Sequence, residues 1–115
     1  MGLEMLAQGG HVMHVYDFRV KSGTGEDFIR LFDEFDRSDE NLMHKTPDQI
    51  KDGVLCRDNT DPDHFYLIGE WSSEQTHRQI LAQFRAQGTL PPFMGLIEGD
   101  GFVPVYATVV APNYE

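Results

Sequence analysis

The chain has 115 residues, nineteen acidic against nine basic, for a formal net charge of −10. The scattered Lys and Arg form no stripe for phosphates, which argues against nucleic acid as a partner. A 40% hydrophobic, 11% aromatic composition suffices for one small folded domain, and no run approaches membrane-spanning length. The single cysteine, Cys56, has no internal disulfide partner, which points to a reducing, cytoplasmic setting. Within its apolar stretch it reads as a small hydrophobe.

Residues 1–10 lack a basic, then apolar, leader pattern and read as a short N-terminal extension with a hinge at Gly9-Gly10. The domain proper is expected over residues 11–110, and residues 111–115 read as a tail. Residues 11–20 alternate: Val12, His14, Tyr16, Phe18 and Val20 share one face, while His11, Met13, Val15, Asp17 and Arg19 share the other. That period of two predicts a first strand. After the turn KSGTG, Thr24 is the expected cap of a helix over about residues 25–41, with Asp27 three residues later as a weaker capping box. Phe28, Leu31, Phe32 and Phe35 form its apolar stripe, continued by Leu42, and its acidic residues mostly face water.

A loop follows around Pro47, then a second strand over residues 52–58. The turn NTDPD joins it to a third strand, giving an antiparallel hairpin that ends at the only tryptophan, Trp71. Ser72 or Ser73 caps a second helix, whose His77, Ile80, Leu81 and Phe84 share one face and whose stop is Gly88. Residues 89–101 are irregular but apolar, which predicts a lid or rim packed over something. Residues 102–110 form a last strand, and Pro104 makes it an edge strand or a bulged one.

The order β-α-β-β-α-β predicts an α+β, ferredoxin-like domain: a four-stranded antiparallel sheet with both helices on one face. The alternating sets on the other face are apolar too. Two such sheets packed face to face as a homodimer would satisfy them. No Walker loop, G-x-G-x-x-G or G-x-S-x-G is present, which argues against nucleotide binding and a serine nucleophile. Histidine spacing gives no metal motif either: His11 and His14, three apart on a strand, point to opposite faces.

Three pieces, in this order and spacing, resemble the antibiotic biosynthesis monooxygenase family, dimeric α/β-barrel relatives of heme-degrading monooxygenases. They are the helix start Gly23-Thr24-Gly25-Glu26-Asp27-Phe28, the hairpin from Val54 through Asp61-Pro62 to Phe65, and Gly69-Glu70-Trp71-Ser72-Ser73-Glu74-Gln75. The resemblance implies a dimer of ferredoxin-like subunits, each with a pocket between sheet and helices. It leaves the substrate open, because the fold also hosts isomerases, cyclases and proteins without known activity. Of the Asn, Trp and His of the heme-degrading branch, only the Trp is matched, by Trp71. The Asn position falls at Tyr16 and the His position near Leu81, which cannot ligate iron, so heme is disfavoured.

The cofactor-independent branch implies a base that deprotonates an electron-rich aromatic or polyketide-like substrate, donors that hold the anion, and exclusion of water while O2 reacts. His14 is the expected base, with a buried structural histidine as the competing reading. Tyr16 and Trp71 shape the pocket. His77, Phe18, Phe65, Leu81, Phe84 and Phe93 are the expected substrate contacts, though His77 also reads as a core or rim histidine. Arg78 and Arg85 are within reach of a substrate oxygen, with solvent as their default. The rival readings are a cyclase or isomerase using the same pocket, a heme-degrading enzyme, and a ligand-binding dimer without catalysis.

Overall fold

The computed structural model describes residues 3–88, 91–99 and 102–112. Strand β1 (Val12–Arg19), helix α1 (Gly25–Asp36), strands β2 (Val54–Arg57) and β3 (His64–Trp71), helix α2 (Glu74–Gln87) and strand β4 (Val105–Thr108) follow in chain order. Short 3₁₀ turns lie at Leu42–Lys45 and Pro92–Leu96. The sheet has four strands in the order β2-β3-β1-β4, every neighbouring pair antiparallel. The architecture is α+β and ferredoxin-like, as the alternation of strand and helix signals predicts. No helix among the described residues is long and apolar enough to cross a membrane.

The inner face of β1 carries His14, Tyr16 and Phe18, all buried. Phe18 meets Phe28 of α1 and Phe65 of β3 at ring-centroid distances of 5.3 and 6.0 Å, and His14 stacks on His77 of α2. Both helices therefore cover the same face. Phe93, on the 3₁₀ turn that follows α2, is 4% exposed and inserts against Phe28, Phe32 and Phe35, so the expected apolar rim is part of the core. The rest of that expected segment, residues 89, 90, 100 and 101, lies outside the described residues.

Three local expectations are corrected. Helix α1 stops at Asp36 rather than near residue 41, because the Ser38 hydroxyl donates to the Phe35 carbonyl and Asn41 Oδ1 accepts from the Met43 amide. Such side-chain bonds offer the backbone an alternative to the helical ladder, so Leu42 begins a separate turn. Thr24 does not cap α1. Its hydroxyl donates to the Lys21 carbonyl, and Asp63 from the hairpin takes the Gly25 and Gly23 amides on its two carboxylate oxygens. Asp27 is instead paired with Arg30. Asp63→Ala should therefore lower unfolding stability by about 1 kcal/mol, typical of a lost N-cap, and Thr24→Ala by less; urea denaturation of the two variants distinguishes them. Cys56, finally, faces outward on β2 and is exposed.

The hairpin turn and α2 match their signals. Asp58 Oδ1 accepts from the Thr60 amide and hydroxyl, Ser73 accepts from the Thr76 amide, and Gly88 ends α2 at φ 67°. Pro104 lies just outside β4, which is an edge strand. Across the open face of the sheet, register places Val54, Ile68, Val15 and Val105 in one row over all four strands. Val54 and Val105 are 57% and 63% exposed.

Candidate active site

A cavity of about 150 Å³ lies between the inner sheet face, α1, α2 and the two 3₁₀ turns. His14 and Tyr16 reach it from β1, and pairing sets what lies beside them: Gly69 on β3 and Tyr106 on β4 stand opposite His14, and Leu67 stands opposite Tyr16. A Cβ on Gly69 would lie 2.4 Å from His14 Nε2. The imidazole occupies the space that a side chain at position 69 would fill, which is the physical reason for glycine there.

The Ser73 cap starts α2 so that His77, one turn along, points back at the sheet. Its ring stacks on His14 at 4.8 Å and meets the Trp71 indole edge-on at 4.8 Å and 90°. The Nδ1 atom of His77 lies 2.6 Å from the Tyr106 hydroxyl, in a hydrogen bond whose donor depends on the tautomer. Arg78 covers the Tyr106 ring at 4.4 Å while pairing with Glu74, so its guanidinium is engaged outside the cavity. By contrast, His14 Nδ1 and Trp71 Nε1 are buried without a hydrogen-bond partner.

Burial dominates the electrostatics. It lowers His14 to about 4, and it lowers His77 to about 3 with help from His14 and Arg78. Burial likewise holds the Tyr16 and Tyr106 phenols above their ordinary range. Both imidazoles are thus neutral at pH 7, and both phenols keep their protons. An unfolded histidine titrates near 6.5, so below that pH the unfolded chain binds protons that the folded one does not. Stability should be fully present above about pH 6.5. It should fall on acidification towards pH 4, by up to about 1.4 kcal/mol per pH unit for each histidine. Unfolding free energies across that range should show a shallower slope in His14→Gln.

Of the expected site residues, His14, Tyr16, Trp71, His77, Leu81, Phe84 and Phe93 line the cavity. Phe18 and Phe65 do not: they pack with Phe28 in the core, farther along the same strand faces, and Phe65 borders a separate surface groove along α1 and β2. Arg85, on the exposed side of α2, also lines the cavity, as do Asn41, Gln49 and Asp52. Asp36, expected among the solvent-facing acids, lines it too. Tyr106 is the residue that sequence reasoning missed. The alternation Val105-Tyr106-Ala107 is its only signal, and it lies in a four-residue strand.

Heme finds no ligand where the resemblance would place one, because Leu81 offers no iron ligand. Among the described residues, one set can hold a metal ion: Asp36, His44 and Asp52, whose ligand atoms lie within 4.8 Å of one another. Three separate segments supply that set, so histidine spacing does not reveal it. In the structure His44 Nε2 sits 2.9 Å from Asp52 and 3.4 Å from Asp36 at the cavity rim.

Fold and cavity together define a ferredoxin-like α+β protein with an aromatic pocket between sheet and helices. Solved structures with this fold include SnoaB, a cofactor-independent oxygenase from Streptomyces nogalater, at 18% identity and TM-score 0.60 over 92% of this chain and 97% of that one. An antibiotic biosynthesis monooxygenase matches at 21% identity and TM-score 0.61, over 87% of this chain and 99% of that one. A dimeric ferredoxin-like protein from an uncultured marine organism matches at 12% identity and TM-score 0.65, over 92% and 93% of the two chains. No protein-family model and no curated protein sequence matches the chain. At these identities the likeness establishes the fold, which is that of solved antibiotic biosynthesis monooxygenases.

Proposed function

We propose that the protein is a cofactor-independent monooxygenase of the antibiotic biosynthesis monooxygenase type, acting with O2 on a hydrophobic aromatic substrate. One observation carries the reading: a neutral, buried imidazole, His14, lines an aromatic cavity, and its Nδ1 is enclosed without a hydrogen-bond partner in the protein. His77 lines the same cavity but is the weaker base, because burial, His14 and Arg78 hold it at about 3 against about 4 for His14.

In this mechanism His14 takes the phenolic proton. The phenolate passes an electron to O2, and the resulting superoxide and phenoxyl radical combine at a ring carbon bearing hydrogen. The peroxide then eliminates water to leave a quinone. For each phenol one O2 is consumed, one oxygen atom enters the ring, and the other leaves as water with the two hydrogens. The substrate supplies all four electrons, so the protein needs only to remove a proton, exclude water and orient the ring. A Trp71 N–H without a protein partner is suited to the developing oxyanion.

Oxygen consumption measured with an electrode, together with quinone formation at a one-to-one ratio, tests the reading. Aromatic turnover without oxygen uptake would instead favour a cyclase or isomerase. The exposed aliphatic row on the open sheet face fits a homodimer built by packing two sheets, and the dimeric protein of the same fold supports this arrangement. A sedimentation mass of one chain would remove it.

A further inference from the structure

The walls and size of the cavity narrow the substrate class, given the reading that the cavity is where the substrate binds. A dry cavity of roughly 150 Å³ with apolar walls is the size that admits one benzene molecule in an engineered protein. The cavity here is about 150 Å³. Its walls are aromatic rings braced against one another: Phe93 meets Phe32 at 5.3 Å and Phe35 at 5.6 Å, and Phe35 meets Phe84 at 6.0 Å. Interiors packed in this way yield little to an oversized guest.

A second feature gives the occupant polarity. His14 and Trp71, 5% and 1% exposed, border the cavity and each keep a ring nitrogen without a hydrogen-bond partner. A hydroxyl donates and accepts, so it is the group that can serve either enclosed nitrogen once a small turn of the ring presents it to the cavity. A third feature is the rim, where Asp36, Asp52 and Arg85 line the cavity and His44 Nε2 lies 3.4 and 2.9 Å from the two carboxylates. An anionic ring entering there loses its hydration beside two carboxylates.

We propose that this cavity selects a single uncharged, electron-rich aromatic ring bearing a hydroxyl, and rejects fused polycyclic rings and ring carboxylates. What limits the ring count is the wall formed by Phe32, Asp36 and Gly53. It borders the cavity on one side and a second surface groove along α1 and β2, of about 390 Å³, on the other.

Trp71 is the only tryptophan, so one indole N–H signal in a ¹H–¹⁵N spectrum reports occupancy without turnover. Titrations in the absence of oxygen would use hydroquinone, the three-ring anthrone, and 2,5-dihydroxybenzoate as the carboxylated single ring. Hydroquinone is expected to shift the indole signal saturably and to bind at least tenfold tighter than either of the others. Phe32→Ala is expected to narrow the gap between hydroquinone and anthrone by opening the wall. Anthrone binding as tightly as hydroquinone to the wild-type protein would overturn the size limit, and equal binding of the carboxylate would overturn the charge selection. Failure of all three probes to move the indole signal would overturn both. The oxygenase reading fails separately. Selective hydroquinone binding without oxygen uptake sinks only that reading, whereas oxygen uptake with anthrone preferred sinks only the present inference.

Discussion

Replacing His14 by alanine should lower turnover of an accepted aromatic substrate by about 10²- to 10⁴-fold, the usual worth of a positioned general base. Binding reported by the Trp71 indole signal should survive, because the aromatic walls remain. In the wild-type protein kcat/KM should be flat through neutral pH. It should then fall as the pH drops through about 4, where His14 takes up a proton and ceases to be a base. The sign follows from the role: the active form is the neutral imidazole, so acid removes activity and alkali does not. A group near 4 is a weak base for a phenol near 10, a mismatch of about six pH units or roughly 8 kcal/mol before the partners interact. Forming imidazolium beside phenolate in a desolvated site offsets much of that, since each new charge stabilises the other. His14→Ala with unchanged oxygen consumption would remove the base from the mechanism and leave His77 as the remaining buried imidazole.

The strands, the helices and most of the cavity wall were legible because their signals are local. Alternation along residues 12–20 put His14, Tyr16 and Phe18 on one face, and the sheet keeps them there. Depth along the strand was not legible. Phe18 shares a face with His14 but lies four residues on, where Phe28 and Phe65 fill the space. Alternation reports which face a side chain takes, not where along that face a cavity ends. Long-range partners were hidden for a similar reason. Asp63 caps α1 across 38 residues of sequence, and nothing around Thr24 signals that its role is taken. The bond from Tyr106 to His77 required knowing that β4 pairs with β1, so that Tyr106 stands opposite His14 and beside α2. The rim set of Asp36, His44 and Asp52 combines the end of a helix, a 3₁₀ turn and the approach to β2. None of these juxtapositions leaves a pattern in spacing.

Gly69→Ala should be the most disruptive single methyl group that can be added to the cavity. The new Cβ would stand 2.4 Å from His14 Nε2 and 3.2 Å from both Cδ2 and Cε1 of the same ring. An exposed side chain would swing aside, but the His14 ring is held by its stack on His77 and by the edge contact with Tyr16 at 5.4 Å. Overpacking a braced interior typically costs about 1–3 kcal/mol, and here the strain falls on the proposed base. Unfolding stability should therefore drop by about that amount, and oxygen consumption should fall by more than the loss of folded protein explains. The decisive comparison is a double-mutant cycle. In a His14→Ala background the clash has no ring to meet, so adding Gly69→Ala should be close to neutral. The coupling between the two changes should then approach the full cost of the single glycine substitution. A Gly69→Ala penalty of the same size in both backgrounds would mean that the backbone of β3, not the imidazole, resists the methyl group. The close seating of His14 on Gly69 would then not be what positions the base.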